Sequence, residues 1–309
     1  MDELPRNDCL IAAVTTPFDA DLRPDDSLLL ARCRELMGQG CDGVTLFGTT
    51  GEGAMIAPSQ RMRTLESLLA AGLPPGRTIV SVGALAIDDC AELARHATSL
   101  GVAAVLLMPP CVFRGGITDE GAFRFFAVAV DRIGDPRLRL LLYHFPDICG
   151  VPLNPPVIRR LLERYGALIA GVKDSGGDWG FTEDLLRRFS ELSILTGTEV
   201  HLPQATLAGA RGTICGLANS IPQLLRRMLE PRTLPERRRF LPAVRAADAI
   251  LSRGPFIPSV KALLAARSGE ATWRRVLPPL AMPGLADARR MADDFAALQA
   301  TLPEAWREA

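Results

Sequence analysis

Residues 138–175 read LRLLLYHFPDICGVPLNPPVIRRLLERYGALIAGVKDS, and this stretch holds the pattern that decides the fold. Two short apolar runs, 138–143 and 168–173, flank a stretch at 155–165 whose apolar residues recur every three to four positions. Runs that are nearly continuous in Val, Ile, Leu and Ala are typical of strands buried on both faces, whereas the periodic stretch predicts an amphipathic helix. The segment therefore predicts two parallel strands joined by a helix.

The same strand–helix unit repeats through about the first 230 residues. We predict eight strands, at residues 10–15, 43–47, 78–82, 103–108, 138–143, 168–173, 193–196 and 212–215. We predict helices between them at 26–38, 59–71, 89–100, 119–133, 155–165 and 181–189. Eight such units indicate an α/β protein with a (β/α)8 (TIM) barrel. A doubly wound sheet is the alternative, and it is less favoured because no GxGxxG motif follows the first strand.

The last part of the chain has a different pattern. Residues 231–309 contain no strand signal and predict helices at 235–253, 257–266 and 286–302. No Ser/Gly-rich linker separates them from the rest. We therefore expect a barrel at 1–230 that holds the active site, and a helical extension at 231–309 that packs on it.

Composition excludes several classes of function. The 309 residues include 35 basic and 35 acidic side chains, and a net charge of zero argues against nucleic acid or an anionic membrane as the main partner. No run of about eighteen apolar residues predicts a transmembrane helix. The start, MDELPRNDCLIAAV, lacks the basic region of a signal peptide. The seven cysteines include no CxxC pair, which favours a reducing cytoplasm over a disulfide framework or a zinc site.

Lysine is rare in this chain. Only Lys173 and Lys261 are lysines, and the other 33 basic residues are arginines. A guanidinium stays protonated, whereas a desolvated lysine amine can act as a nucleophile. Composition alone leaves open whether either lysine is a reactive group or an ordinary surface residue.

Chemistry-bearing residues follow three of the predicted strands, at the end where barrels of this type carry their active sites. Lys173 ends strand six, Tyr143 ends strand five, and the loop GTTGEG at 48–53 follows strand two. Loss of hydration inside a barrel favours the neutral amine, which can attack a ketone to form a Schiff base. A tyrosine hydroxyl can transfer protons, and the loop offers N–H groups and hydroxyls to a carboxylate.

Each of these residues also has an ordinary structural interpretation. The loop at 48–53 can be a tight turn, Tyr143 can be a packed aromatic residue, and Lys173 can bind a phosphate or a carboxylate. Their common position on one rim of the barrel favours the catalytic interpretation.

The three segments resemble the signatures of a known family. GTTGE at 48–52, YHFP at 143–146 and GVKDS at 171–175 are similar to those of the dihydrodipicolinate synthase / N-acetylneuraminate lyase family, and GTICGLAN at 212–219 is similar to its eighth-strand loop. The resemblance extends from about residue 10 to residue 219. It implies a class I, pyruvate-type aldolase on a (β/α)8 barrel, usually a homotetramer, that uses no metal and no organic cofactor.

The resemblance also implies a role for individual residues. Lys173 would form the imine with the 2-oxo acid, Tyr143 would be the general acid/base, and Thr49 would belong to its hydrogen-bond relay. The pyruvate pocket, including the site of its carboxylate, would be formed by Gly48, Thr50, Gly197 and Ile214.

Two departures from the family pattern concern the second substrate. Synthases that act on aspartate semialdehyde carry an arginine five residues after the tyrosine, where this chain has Ile148. Many members also have a tyrosine after strand four, whereas the segment MPPCVFR at 108–114 has none, which leaves water or Cys111 to replace it. An isoleucine cannot pair with a carboxylate, so activity on aspartate semialdehyde is disfavoured.

Other residues favour a hydroxylated substrate. Glu199 and Ser175 stand where sugar-acid lyases of the family hold substrate hydroxyls, and Asp174 would add to the polar character of the pocket. A surface role for Glu199 is the alternative. His144 alternates with Tyr143 and should point away from the barrel interior.

We therefore expect an enzyme that breaks or forms a C–C bond to pyruvate, with a 2-oxo-3-deoxy sugar acid or a similar hydroxylated 2-oxo acid as substrate. One alternative is a dihydrodipicolinate synthase that takes its cation from elsewhere, for example from Arg114. Another is a non-catalytic protein that binds 2-oxo acids.

Overall fold

The structure is a computed structural model that describes residues 7–112, 116–151 and 153–307. Eight parallel strands form a closed barrel in which each strand pairs with the next and the eighth pairs with the first. The strands are β1 Cys9–Ala13, β2 Gly43–Leu46, β3 Thr78–Ser81, β4 Ala104–Leu107, β5 Leu140–His144, β6 Ile169–Asp174, β7 Ser193–Thr196 and β8 Gly212–Cys215. The predicted (β/α)8 barrel is confirmed.

The strand bounds differ from the predicted ones by at most two residues. β7 and β8 have the predicted bounds, but β5 was predicted to begin at Leu138 and begins at Leu140. The Leu138 N–H donates to the Asp135 carbonyl at 3.1 Å, so this apolar residue closes a turn before the strand begins. An apolar run in the sequence indicates burial, whereas a strand also requires hydrogen-bonded pairing with a neighbouring strand, which here begins at Leu140.

Helices surround the barrel and fill the C-terminal region. They are α1 Asp26–Gly38, α2 Pro58–Ala70, α3 Ile87–Ser99, α4 Asp119–Ile133, α5 Pro146–Cys149, α6 Pro155–Tyr165, α7 Trp179–Arg188, α8 Leu202–Leu207, α9 Pro222–Leu229, α10 Leu234–Arg238, α11 Leu241–Leu251, α12 Phe256–Ser268 and α13 Leu285–Thr301. Two of the predicted helices, α1 and α4, begin at a capping side chain. Asp25 Oδ1 accepts the Leu28 N–H at 3.0 Å, and Thr118 Oγ1 accepts the Gly121 N–H at 3.2 Å.

The single helix predicted at 235–253 is wrong, because two helices, α10 and α11, occupy this stretch. The Phe240 N–H donates to the carbonyl of Arg237, which tightens the chain at the junction. Pro242 lies in the first turn of α11 and has no N–H to continue the hydrogen bonds of a preceding helix. Proline therefore starts a new helix at this point.

Side chains alternate between the barrel interior and the surrounding helices. Ile11, Ile79, Leu141 and Ile214 belong to the apolar cluster inside the barrel, and all are buried. Residues of the opposite parity face the helices and form the larger apolar core. These apolar side chains fill the middle of the barrel, and ligand-sized space lies toward each of its two ends.

The C-terminal helices pack on one another and on the barrel. α12 contacts both α11 and α13, and the Arg267 guanidinium of α12 donates to the Ser220 carbonyl at 3.0 Å after β8. Near the C-terminus, Trp306 stacks on Phe240 with ring centroids 4.2 Å apart. Among the helices of the described ranges, none is both long and apolar enough to span a membrane.

Candidate active site

Tyr143 and Lys173 lie side by side at the carboxyl ends of β5 and β6. Strand pairing sets them directly opposite each other, and both side chains are buried, with exposed fractions of 3% and 5%. Lys173 Nζ donates to the Tyr143 hydroxyl oxygen at 3.1 Å and lies 4.2 Å from the centre of the tyrosine ring. The structure thus brings the predicted nucleophile and the predicted acid/base into direct contact.

The loop at 48–53 turns sharply beside this pair. A Cβ atom on Gly53 would lie 1.8 Å from the Phe47 carbonyl oxygen, so the turn accepts only glycine there. Glu52 has the left-handed φ of 56°, which non-glycine residues adopt uncommonly. The Gly48 carbonyl accepts the Gly53 N–H at 3.2 Å and closes the turn. The tight-turn interpretation and the binding interpretation of this loop are therefore compatible.

A cavity of about 380 Å³ opens in front of the Lys173 amine. Eight of the nine residues that we predicted for the site line it: Thr49, Thr50, Tyr143, Lys173, Ser175, Gly197, Glu199 and Ile214. Gly48 is not among the lining residues; it is buried, and it acts in the turn instead. The roles of these residues, including the relay predicted for Thr49, stay predictions.

Glu199 follows β7 and points into the cavity rather than out to solvent. Its Oε1 accepts the Leu217 N–H at 3.1 Å, which fixes the carboxyl group against the turn after β8. Burial raises the pKa of Glu199, and the nearby carboxylate of Asp248 acts in the same direction. The side chain is therefore half-buried and positioned, unlike an ordinary surface carboxylate.

Asp174 does not contribute to the cavity, contrary to our expectation. Its Oδ2 accepts the Thr182 hydroxyl of α7 at 2.6 Å, and its Oδ1 accepts the Gly176 N–H at 2.9 Å. Adjacent residues on a strand face opposite sides, so the inward position of Lys173 turns Asp174 outward. His144 points outward in the same way, as predicted: its ring stacks on Phe181 with centroids 4.2 Å apart.

The two departures from the family pattern, Ile148 and the segment around Cys111, differ in their relation to the cavity. Ile148 lines the cavity, so an apolar side chain stands at the position that we singled out for a missing cation. Cys111 is exposed. Phe113 and Arg114 lie outside the described residues.

Sequence reasoning missed one wall of the cavity. Asp248 of α11, Phe256 and Ile257 of α12, and Leu280 in the segment before α13 all line it. The predicted site residues all lie at or just after strand ends, whereas these residues come from the helical extension. The run PFIP at 255–258 was a usable signal, since it is more apolar than an exposed start of a helix requires.

The second lysine has a separate and fully enclosed position. Lys261 of α12 forms an ion pair with Glu52, and both side chains have no exposed surface. Its amine also donates to the Arg275 carbonyl at 2.8 Å and lies 4.2 Å from the centre of the Phe18 ring. Burial lowers the pKa of Lys261 to about 8, although Glu52 acts in the opposite direction.

The Glu52 carboxylate also holds a third segment. Its second oxygen accepts the Leu277 N–H at 2.7 Å. One carboxylate of the loop at 48–53 therefore binds both α12 and the segment that leads to Leu280.

A second cavity, of about 290 Å³, lies at the amino ends of the strands and is lined by Arg139 and Arg211 among others. It contains none of the predicted site residues, and catalytic groups in barrels of this type lie at the opposite end. Within the described ranges, no group of three or more His, Cys, Asp or Glu side chains is arranged to hold a metal ion.

Comparison with known proteins assigns the chain to a family. A sequence model of the Dihydrodipicolinate synthetase family matches residues 7–234. The chain is 35% identical over 222 residues to an uncharacterized DapA-like lyase of Chloroflexus aurantiacus, with 72% of this chain and 73% of that protein covered. It also resembles the crystal structure of dihydrodipicolinate synthase from Agrobacterium tumefaciens, with a TM-score of 0.86, 35% identity, and 94% and 99% of the two chains covered.

A more distant likeness extends the fold comparison. The 2-keto-3-deoxygluconate aldolase of Sulfolobus, solved in complex with D-KDPG, superposes with a TM-score of 0.84 at 19% identity, over 95% of this chain and 97% of that one. At this identity the likeness concerns the fold alone. The family model, the lyase relative and the Agrobacterium structure agree with the resemblance found in the sequence, and the chain is a lyase that belongs to the dihydrodipicolinate synthetase family.

Proposed function

We propose that this protein is a class I, pyruvate-dependent aldolase that carries its substrate as an imine on Lys173. One observation carries the proposal: a buried lysine amine donates to a tyrosine hydroxyl at 3.1 Å and faces a cavity at the carboxyl ends of the strands. Attack on a ketone requires a desolvated amine and a neighbouring group that moves protons, and Lys173 with Tyr143 supplies both.

In the cleavage direction, the substrate is a 4-hydroxy-2-oxo acid. The Lys173 amine adds to the C2 carbonyl, and water leaves with a proton supplied by the Tyr143 hydroxyl, which gives a protonated imine and a Tyr143 phenolate. Tyr143, as phenolate, takes the proton of the C4 hydroxyl while the C3–C4 bond breaks and its electron pair moves toward the imine nitrogen. An aldehyde departs and an enamine remains. Tyr143 returns a proton to C3 and is again a phenolate. Water then hydrolyses the imine to release pyruvate and the free amine, and the proton that this step sets free returns to Tyr143.

The polar end of the cavity suits the pyruvate half of this substrate. Thr50 and the N–H groups of the loop at 48–53 are the donors that we assign to the carboxylate, and Gly197 and Ile214 border the carbons. Ile214 is fully buried, so this end of the cavity is closed by the barrel interior.

Glu199 and Ser175 are assigned to the C4 hydroxyl. A protonated carboxyl group can both accept from and donate to a hydroxyl, and the raised pKa of Glu199 favours its protonated form. This supports a hydroxylated 2-oxo acid, the broader form of the expected substrate class.

A second candidate is the condensation of pyruvate with aspartate semialdehyde. The likeness to the Agrobacterium synthase favours it, at 35% identity over nearly the whole chain. Ile148 in the cavity wall disfavours it, because the carboxylate of that aldehyde would meet an apolar side chain.

Assembly, location and organisation complete the proposal. We infer a homotetramer in the cytoplasm, in which the extension at 231–309 forms one unit with the barrel. Family membership supports the tetramer, and the seven free cysteines support a reducing compartment. Residues of both the barrel and the extension line the same cavity, which supports one structural unit. Light scattering of the purified protein tests the tetramer.

Borohydride reduction in the presence of pyruvate tests the imine. The expected result is an irreversible loss of activity together with a reduced pyruvate adduct that peptide mapping places on Lys173. Borohydride without pyruvate is the control and should leave the enzyme active. Absence of the adduct, or its presence on Lys261, would contradict the proposal.

A further inference from the structure

The outer half of the cavity differs chemically from the half that we assign to pyruvate. Phe145 and Ile148 line it from the barrel side, and Phe256, Ile257 and Leu280 line it from the extension side. None of these five side chains has a hydrogen-bonding atom. A substrate that extends beyond the imine therefore meets hydrocarbon on both sides.

Phe256 marks the border between the two halves. A Cβ atom on Gly216 would lie 2.7 Å from Cε1 of the Phe256 ring and 3.3 Å from the Thr50 hydroxyl oxygen. The ring is thus seated against the turn after β8, beside a hydroxyl that we assign to the pyruvate carboxylate. No side chain larger than hydrogen fits at Gly216 without displacing this ring.

The apolar wall from the extension is held in place by the buried ion pair. Lys261 lies on α12, the helix that carries Phe256 and Ile257, and its partner Glu52 belongs to the loop at 48–53. The second oxygen of Glu52 binds the Leu277 N–H, three residues before Leu280. The ion pair and this hydrogen bond therefore join the outer wall to the loop at 48–53, which lies at the polar end of the cavity.

The charges of the cavity are acidic apart from the reacting amine. Among the described lining residues, the ionisable groups besides Lys173 and Tyr143 are Glu199 and Asp248. The Asp248 carboxylate would repel an anionic aldehyde. Glu199 also accepts the Leu217 N–H, which fixes its carboxyl group in place.

We propose that the substituent on C4 of the substrate is a neutral hydrocarbon group, aromatic or aliphatic, so that the enzyme releases or consumes an apolar aldehyde. This inference rests on the proposed aldolase function and narrows it. A polyhydroxylated chain would leave hydroxyls without partners against the five apolar side chains, and each such desolvated hydroxyl lowers affinity. A phenyl or alkyl group instead gains from burial on the same surface.

The family match says little about this wall. It covers residues 7–234, and the positions that form the extension side of the cavity, including Phe256 and Leu280, lie beyond it. Membership therefore supports the chemistry proposed at Lys173 and leaves the aldehyde to be inferred from the structure.

A matched pair of substrates tests the inference on the full-length enzyme. The rate of pyruvate release is compared for 4-hydroxy-2-oxo-4-phenylbutanoate and for a 2-oxo-3-deoxy six-carbon sugar acid, and pyruvate consumption is compared for benzaldehyde and aspartate semialdehyde. We expect kcat/KM for the phenyl compound and for benzaldehyde to be at least about tenfold higher, which corresponds to about 1.4 kcal/mol. An equal or higher value for either polar partner overturns the inference, and so does a lack of turnover of the phenyl compound.

Ile148→Arg gives a second readout. The new cation should lower kcat/KM for benzaldehyde and raise it for aspartate semialdehyde, so that their ratio changes at least about tenfold. Leu285→Arg is the matched control, because it adds the same charge at an exposed position on α13 and should leave the ratio unchanged. An unchanged ratio in a folded Ile148→Arg enzyme contradicts the inference, and the substrate panel on the unmodified enzyme decides the matter if this variant does not fold.

Failure of the inference is distinguishable from failure of the proposed function. Borohydride trapping with pyruvate alone reports on Lys173 without any aldehyde. Trapping together with a preference for the polar partners means that only the hydrocarbon assignment is wrong. No trapping means that the imine mechanism itself is wrong.

Discussion

Lys173 and Lys261 are both buried, but they face different neighbours. Lys173 meets a tyrosine hydroxyl and an open cavity, whereas Lys261 meets a carboxylate, a backbone carbonyl and an aromatic ring. Lys261 is also the lysine whose pKa burial lowers to about 8. The comparison teaches that burial, and even a lowered pKa, does not mark a nucleophile: the amine also needs free space where a carbonyl carbon can approach.

Lys173→Arg should have the largest effect and tests the comparison directly. A guanidinium stays protonated and cannot add to a ketone, so we expect loss of the borohydride adduct and a fall in kcat of at least about 10³-fold. Mass spectrometry and a pyruvate assay measure the two effects. If the variant still formed the borohydride adduct or kept its kcat, the assignment of Lys173 as the imine-forming residue would be wrong.

Tyr143→Phe removes the hydroxyl group beside the Lys173 amine. Lys261 has no such hydroxyl among the contacts described above. Loss of a general acid/base typically lowers kcat by roughly 10²- to 10⁴-fold, and we expect a value in this range. The phenylalanine keeps the ring over the amine, so the fold should be retained. Tyr165→Phe is the control, because Tyr165 binds Ala127 and Asp131 on the outside of the barrel. A Tyr143→Phe enzyme of near-normal kcat would show that another group moves the protons.

Lys261→Met should act on stability. It leaves the Glu52 carboxylate buried without its cation, and breaking a buried pair costs about 3–5 kcal/mol. Chemical denaturation measures the loss, and the fraction that folds should still form the adduct on Lys173. The double variant Glu52→Gln, Lys261→Met removes both charges and should recover part of the stability. If Lys261→Met is as stable as the parent, the pair is not what holds α12.

Substitution of Glu199 should have the smallest effect, a small change in thermal stability. Glu199 is a half-buried carboxyl group that pairs with no cation among the described residues. Its pKa is raised in the folded protein above the ordinary value of 4.5. The folded state therefore holds the proton more tightly, and this contribution to stability is complete below about pH 4.5 and is lost as the pH rises through the folded pKa.

Glu199→Gln should consequently be more stable than the parent near pH 7.5, and the difference should shrink toward pH 4.5. We expect an increase in Tm of roughly 2–4 °C at the higher pH, which corresponds to about 1 kcal/mol in a large domain. Thermal unfolding at both pH values measures it. Glu183→Gln, at an exposed position on α7, is the control. A difference that grows toward acid pH would mean that the pKa of Glu199 is lowered instead.

The sequence predicted the barrel and its polar rim for identifiable physical reasons. Strands β7 and β8 were predicted to the residue because parallel strands buried on both faces are continuous apolar runs. Lys173 and Tyr143 were paired because the carboxyl ends of neighbouring strands meet at one rim. The local residue pattern and the barrel topology were therefore sufficient to predict these strands and the Lys173–Tyr143 pair.

Other features depended on contacts that no local pattern contains. Lys261 was noticed as a rare residue, but its partner Glu52 lies 209 positions away. Phe256 reaches the cavity only because α12 packs across the rim, and Asp174 turns outward to bind Thr182. Such features follow from how helices pack on the barrel, which a single sequence does not specify.

The separation of Glu52 and Lys261 also constrains the order in which the protein can mature during synthesis. At roughly 5–20 residues per second, α12 leaves the ribosome on the order of 10–40 s after the loop at 48–53. Throughout that interval the nascent chain carries a carboxylate, at the turn beside the future imine site, whose cation has not yet been made. Premature termination between Lys173 and α12 would yield a chain that contains Lys173 and Tyr143 but lacks the helix that forms one wall of their cavity.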